Sequence, residues 1–112
     1  MREFHFNGYD VCLNPNTITF KCSNKYEAIV DVAYVGNGWC FGTGFFGDKE
    51  GHNKAVWKKN KKYSTEKDAY EAGIYYLIDS IERYNNEKYK SILSILKDEI
   101  NTSEPINQLT LF

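Results

Sequence analysis

Three groups of residues in this chain are of types that could do chemistry. The first is a run of lysines with aromatic rings between them: Lys54, Trp57, Lys58, Lys59, Lys61, Lys62 and Tyr63. Ammonium groups neutralise phosphates and exposed rings stack on unpaired bases, so this loop is a candidate nucleic-acid contact. The same residues also make an ordinary solvated loop between two elements. The second group is Cys12, Cys22, Cys40, His5 and His52. These are zinc-ligand types, but no C-x-x-C and no closely spaced His pair occurs, and such pairs are what zinc sites are built from. Free thiols in a reducing compartment are the simpler reading, and no metal or cofactor is expected. The third is Gln108-Leu109-Thr110-Leu111-Phe112, one amide and three apolar side chains at the close of the sequence. These side chains need a pocket, on this domain or on a partner, to leave water.

Other catalytic signatures are missing from the sequence. It has no nucleophile motif, no G-x-x-x-x-G-K-S/T phosphate loop and no credible carboxylate pair. Gly42-Thr43-Gly44-Phe45-Phe46-Gly47 has the G-x-G-x-x-G spacing, yet it lies inside a strand pattern with no helix after it, unlike a dinucleotide-binding turn. The expectation is a non-enzymatic protein.

The composition bounds the setting. The 112 residues fit one domain, and 42% hydrophobic with 16% aromatic residues is ample to fill a core. Nine tyrosines suit sheet faces and binding surfaces, where a ring covers apolar area while its hydroxyl keeps a polar contact. A net charge of −1 excludes a general polycation. The charge is uneven: residues 54–63 carry five lysines and no acid, residues 1–53 four basic and six acidic groups, and residues 64–112 five basic and nine acidic groups. The stretch Met1-Arg2-Glu3-Phe4-His5-Phe6 lacks the apolar run of a secretory leader. No apolar run approaches the roughly 18 residues of a membrane span. The expected location is the cytoplasm.

The elements that must position these residues follow from periodicity. Alternation predicts strands over 17–22 and 26–35, the first after the turn signal Asn14-Pro15-Asn16. Gly36-Asn37-Gly38 then accepts the positive φ of a tight hairpin, and 39–46 returns. In that return strand Trp39, Phe41, Thr43 and Phe45 share one face, and Cys40, Gly42, Gly44 and Phe46 the other. Two glycines on one face leave room for a backbone or a helix to approach closely. Residues 47–53 read as a polar loop and 55–58 as one more strand, with short candidates at 3–6 and 9–13. Thr65, with Asp68 three residues on, is a helix N-cap signal. Ala69, Ala72, Gly73, Tyr76, Leu77, Ser80, Ile81 and Tyr84 then lie on one helical stripe, and Asn85-Asn86 ends it. A second helix over 87–100 carries Tyr89, Ile92, Leu93, Leu96 and Ile100 on one side. The expected fold class is α+β: an antiparallel meander of three to five strands, followed by two helices on one face. Residues 1–100 are expected to form the single globular domain, and 101–112, with Pro105, a flexible tail.

The ending Gln-Leu-x-Leu-Phe resembles the short peptide with which many proteins dock on the bacterial DNA sliding clamp. By average composition its four fixed residues would meet at a given place roughly once in 100,000. The resemblance implies that Gln108 is a hydrogen-bonding anchor and that Leu109, Leu111 and Phe112 fill apolar pockets on the clamp. Gly38-Trp39-Cys40-Phe41-Gly42, then the lysine loop, Tyr63-Ser64-Thr65 and an alanine-containing helix, is similar in order to small accessory proteins of bacterial phages and mobile elements. Together these resemblances imply an adaptor carried by the clamp to replicating or repaired DNA, or one that obstructs the clamp's other clients. Two competing expectations are a small nucleic-acid-binding module that uses the 54–63 loop, and a mobile-element inhibitor of a host protein that uses its Tyr-rich surface.

Overall fold

The computed structural model describes residues 3–23 and 25–103. Strands β1 (Asn16–Cys22), β2 (Tyr26–Tyr34), β3 (Trp39–Phe46) and β4 (Gly51–Lys54) pair in chain order as one antiparallel sheet. Helices α1 (Glu66–Arg83) and α2 (Lys90–Ser103) follow, the second entered through a 3-10 turn at Glu87–Tyr89. This is the expected α+β meander with its helices after the sheet.

Register decides which face is covered. Val30 pairs with Ile18 on one side and Thr43 on the other, so Phe20, Ala28, Val30, Val32 and Phe45 share a face. That face packs against Ala69, Ile74, Leu77 and Ile81 of α1 and Ile92, Leu96 and Ile100 of α2, all buried. Helix α1 starts where Thr65 Oγ1 accepts the Asp68 N–H at 3.0 Å, which satisfies one of the donors left open in a first helical turn. It lies close on the sheet because Gly73 has no side chain: a Cβ there would stand 2.6 Å from Val30 Cγ1. The buried stripe turns toward Ile74, which takes a place in the core, while Tyr76 stays at its edge, 40% exposed beside Phe41 and His52. At the β2–β3 hairpin Gly36 has φ +100°, and the Val35 N–H reaches the Gly38 carbonyl at 2.8 Å.

Three expected boundaries differ. The fourth strand is 51–54, not 55–58. Gly47 N–H bonds the Glu50 carbonyl at 3.0 Å, which closes a short turn and puts Gly51 opposite Phe46 and Lys54 opposite Thr43. A polar segment is tolerated there because β4 is an edge strand. The candidates at 3–6 and 9–13 form no named strands; single bridges, Phe6 to Cys12 and Val11 to Trp57, stand in their place. Finally, α2 continues beyond Ile100 through Ser103.

A smaller apolar cluster lies on the other face of the sheet. It joins Cys12, Ala33, Cys40 and Val56, with Phe4, Phe6 and Val35 packed against it. Segment 54–56 crosses directly over Gly42, where an added Cβ would stand 2.4 Å from the Lys54 carbonyl oxygen and 2.8 Å from the Val56 nitrogen. At Gly42 this face of β3 is therefore occupied by backbone, while Gly44 meets only the side chains of Phe46 and Ile29. No helix among the described residues is long and apolar enough to cross a membrane.

Candidate functional site

The site begins with a turn at residues 7–10. The Asn7 side-chain oxygen accepts the N–H groups of Tyr9 (2.8 Å) and Val11 (3.1 Å), and the Asp10 N–H bonds the Asn7 carbonyl at 3.0 Å. Asp10 sits at φ +67°, a left-handed conformation that Asp and Asn adopt more readily than most residues. The segment after β4 clamps this turn. Cys12 N–H donates to the Val56 carbonyl at 2.9 Å, Lys58 N–H to the Asp10 carbonyl at 3.0 Å, and the Trp57 indole N–H to the Tyr9 carbonyl at 3.0 Å. The result is a Tyr9 ring held 84% exposed beside a Trp57 ring that is 39% exposed. Between and around them lies an open cavity of about 630 Å³, whose wall includes Tyr9, Asp10, Lys54, Trp57, Lys59 and Asn60.

The five lysines of the loop take separate places. The Lys59 ammonium lies 5.5 Å from the Trp57 ring centre, and that of Lys58 lies 4.5 Å from the Phe6 ring. Lys54 turns the other way, to the helix-covered face, with its ammonium near the rings of Phe41 (5.6 Å) and Tyr76 (5.4 Å). The Lys61 ammonium lies over Tyr63 at 5.3 Å, and Lys62 donates to the Lys58 carbonyl. Among the described residues none of the five forms an ion pair, so their charge is not cancelled locally. Tyr63 is not part of the cavity. Its backbone exchanges two hydrogen bonds with Trp39 (2.8 and 2.9 Å), and its ring packs beside Phe41. The fold thus brings Trp57 and Lys59 to the cavity wall, ties Lys58 to it through its backbone bond to Asp10 while its ammonium lies over Phe6, and sends Tyr63, Lys61 and the Lys54 ammonium elsewhere. Tyr9, Asp10 and Asn60 join the site without having been singled out in the sequence. The local sign was the Asn7-Gly8 turn signal, but nothing local ties Tyr9 to Trp57, 48 positions away.

The cysteines and histidines are dispersed. Cys12 and Cys40 belong to the smaller apolar cluster, Cys22 packs at the main core, and His5 is on the surface. Among the described residues no three His, Cys, Asp or Glu side chains converge as metal ligands would. Burial pushes the Cys40 thiol up from its ordinary value despite Lys62 and Lys54 nearby, and it faces the carbonyl oxygens of Lys61 (3.5 Å) and Asn60 (3.7 Å). This is the protonated state of a packed thiol.

His52 stands on the helix-covered face with its Nδ1 3.1 Å from the Tyr84 hydroxyl, among the rings of Phe45, Tyr76 and Tyr84. Its Nε2 is buried without a partner among the described residues. Burial holds its pKa below the ordinary 6.5. A hydrogen bond from Lys88 lowers Asp48, and one from Tyr89 lowers Glu50. All three groups bind protons more weakly in the fold than in the unfolded chain, so each contributes stability above its unfolded pKa and loses it as pH falls. Stability is expected to decline first below pH 6.5 as His52 protonates, and again below pH 4.5 as Glu50 and then Asp48 follow. Urea midpoints measured from about pH 7.5 downward test this, with His52→Gln expected to flatten the first decline. A midpoint that rises on acidification would contradict it.

Gln108, Leu109, Leu111 and Phe112 lie outside the described residues. No protein-family model matches this chain, no curated protein matches it, and no solved structure does.

Proposed function

We propose that this chain is a non-enzymatic adaptor that docks on a bacterial DNA sliding clamp through Gln108, Leu109, Leu111 and Phe112. The carrying observation is the peptide Gln108-Leu109-Thr110-Leu111-Phe112 itself, whose four fixed positions all match the clamp-docking pattern. The make-up of the fold supports the reading. Among the described residues the main core joins side chains from Phe20 to Ile100 into one packed domain, a body that such a peptide could carry. A clamp partner places the protein in a bacterial cytoplasm, and an origin in a phage or mobile element fits the order of its elements.

The chemistry of docking is simple. Gln108 supplies an amide that can both donate and accept, and the three apolar side chains leave water in pockets of the partner. Each fully buried apolar anchor contributes about 1.5–3 kcal/mol. Ordering the peptide on the clamp opposes this, which leaves a modest affinity suited to an exchangeable client.

Titration of the full chain against a purified bacterial clamp tests the proposal. Leu111→Ala and Phe112→Ala are each expected to weaken binding by about tenfold or more, with the circular-dichroism spectrum unchanged. Absence of binding by the unmodified chain, or binding by both variants as tight as that of the unmodified chain, would overturn it.

A further inference from the structure

We propose that the folded part binds single-stranded nucleic acid, with an unpaired base stacked in the Tyr9–Trp57 cavity and phosphates drawn to Lys58 and Lys59. This inference rests on the described fold alone and does not depend on the clamp reading.

Among the described residues Tyr9 is the most exposed large hydrophobic side chain. An aromatic ring at 84% exposure gains nothing from burial in its own domain. Yet its backbone is pinned by the Asn7 side chain on one side and by the Trp57 indole on the other. That hydrogen bond also sets the Trp57 ring, so one ring and the backbone that presents the other are fixed before binding, and the Tyr9 side chain alone has rotamer freedom to lose. Pre-ordered aromatic platforms of this kind stack bases without regard to sequence, because every base has a π-face. The cavity, at about 630 Å³, falls in the usual range of about 300–1,000 Å³ for small-molecule sites and has room for a nucleoside.

Charge then selects the ligand. The ammonium groups of Lys58 and Lys59 have no carboxylate partner among the described residues, and their segment carries no acid. Asp10, on the cavity wall, disfavours a phosphate inside it and can accept a hydrogen bond from a base amino group. The base therefore enters and the phosphates stay at the lysine rim. Stacking on a protruding ring needs an exposed base face, which a duplex keeps covered.

The test uses the full chain and a fluorescent mixed-sequence DNA of about twelve unpaired nucleotides at low salt, with a duplex of equal length and polyglutamate as competitors. Binding is expected to prefer the single strand and to quench tryptophan fluorescence. Its logarithm should fall with the logarithm of salt at a slope of roughly −1 to −2, as two phosphate contacts imply. Tyr9→Ala is expected to weaken it about tenfold and Tyr9→Phe to retain it. Lys58→Glu with Lys59→Glu should remove it, and none of these changes should alter the clamp titration. Tyr9 is too exposed for its replacement to unfold the domain. The proposal fails if the unmodified chain does not bind at low salt, if Tyr9→Ala binds as well as the unmodified chain, or if duplex or polyglutamate competes equally.

Discussion

Tyr89→Ala is expected to lower folding stability by about 3–5 kcal/mol, a large share of the roughly 5–15 kcal/mol available to a domain of this kind. Tyr89 is fully buried at the entry to α2, and its ring meets Tyr26 and Phe45 edge-on, each at 5.1 Å between centres. Such pairs add to the burial of the ring itself. The hydroxyl does a second job. It accepts the Asp48 N–H at 2.9 Å and donates to the Glu50 carboxylate, and so fastens the β3–β4 turn to the helical layer. Tyr89→Phe isolates that role: it keeps the ring but leaves Asp48 N–H and Glu50 without their partner, at a cost of about 1–3 kcal/mol. Urea denaturation of the two variants should give a graded loss, with alanine the greater. A midpoint for Tyr89→Ala within about 0.5 kcal/mol of the unmodified protein would refute this account.

Gly42→Val is expected to cost about 3 kcal/mol or more, and to act on the candidate site as well as on stability. A branched side chain at 42 meets backbone, not a side chain that could swing away: the Lys54 carbonyl would stand 2.4 Å from its Cβ and the Ala55 carbonyl carbon 2.9 Å. Segment 54–56 must lift from β3. It carries Val56, whose carbonyl holds Cys12 N–H, and it leads to Trp57, whose indole holds Tyr9. Amide exchange should therefore rise at Cys12 and Lys58 before it rises in β2 or α1. If the variant binds single-stranded DNA, its affinity should drop along with this protection. Uniform loss of protection across the sheet would argue instead that segment 54–56 is not the part displaced.

Much of the fold was legible because its causes are local. The β2–β3 hairpin shows in two strand-like runs rich in β-branched and aromatic residues on either side of Gly36-Asn37-Gly38, and Gly36 indeed adopts a positive φ. Thr65 capping Asp68 is a contact three residues long. The stripe of α2 needed only its own spacing. Where local pattern and fold differ, a distant partner decides. Residues 55–58 look more strand-like than 51–54, yet the short turn closed by Gly47 and Glu50 sets the pairing with β3, and Val56 goes to a cluster on the opposite face. Ile74 displaced Tyr76 in the core because the seat of α1 is set by Gly73 against Val30.

The candidate sites divide along the same line. The clamp-like peptide, the basic character of 54–63 and the α+β order were determined by the sequence alone, since each depends on residue types at short spacing. Sorting the lysines and choosing the aromatic partner of Trp57 belonged to the tertiary structure. Lys54 faces the helices, Lys59 lies at the cavity, the Lys58 ammonium lies over Phe6, and Tyr63 is committed to Trp39 and Phe41. Tyr9 reaches Trp57 across 48 residues because glycine at 42 lets one backbone lie on another and carries the chain back over the N-terminal turn. Such a contact is fixed by long-range packing and backbone hydrogen bonds, whose partners no local pattern records.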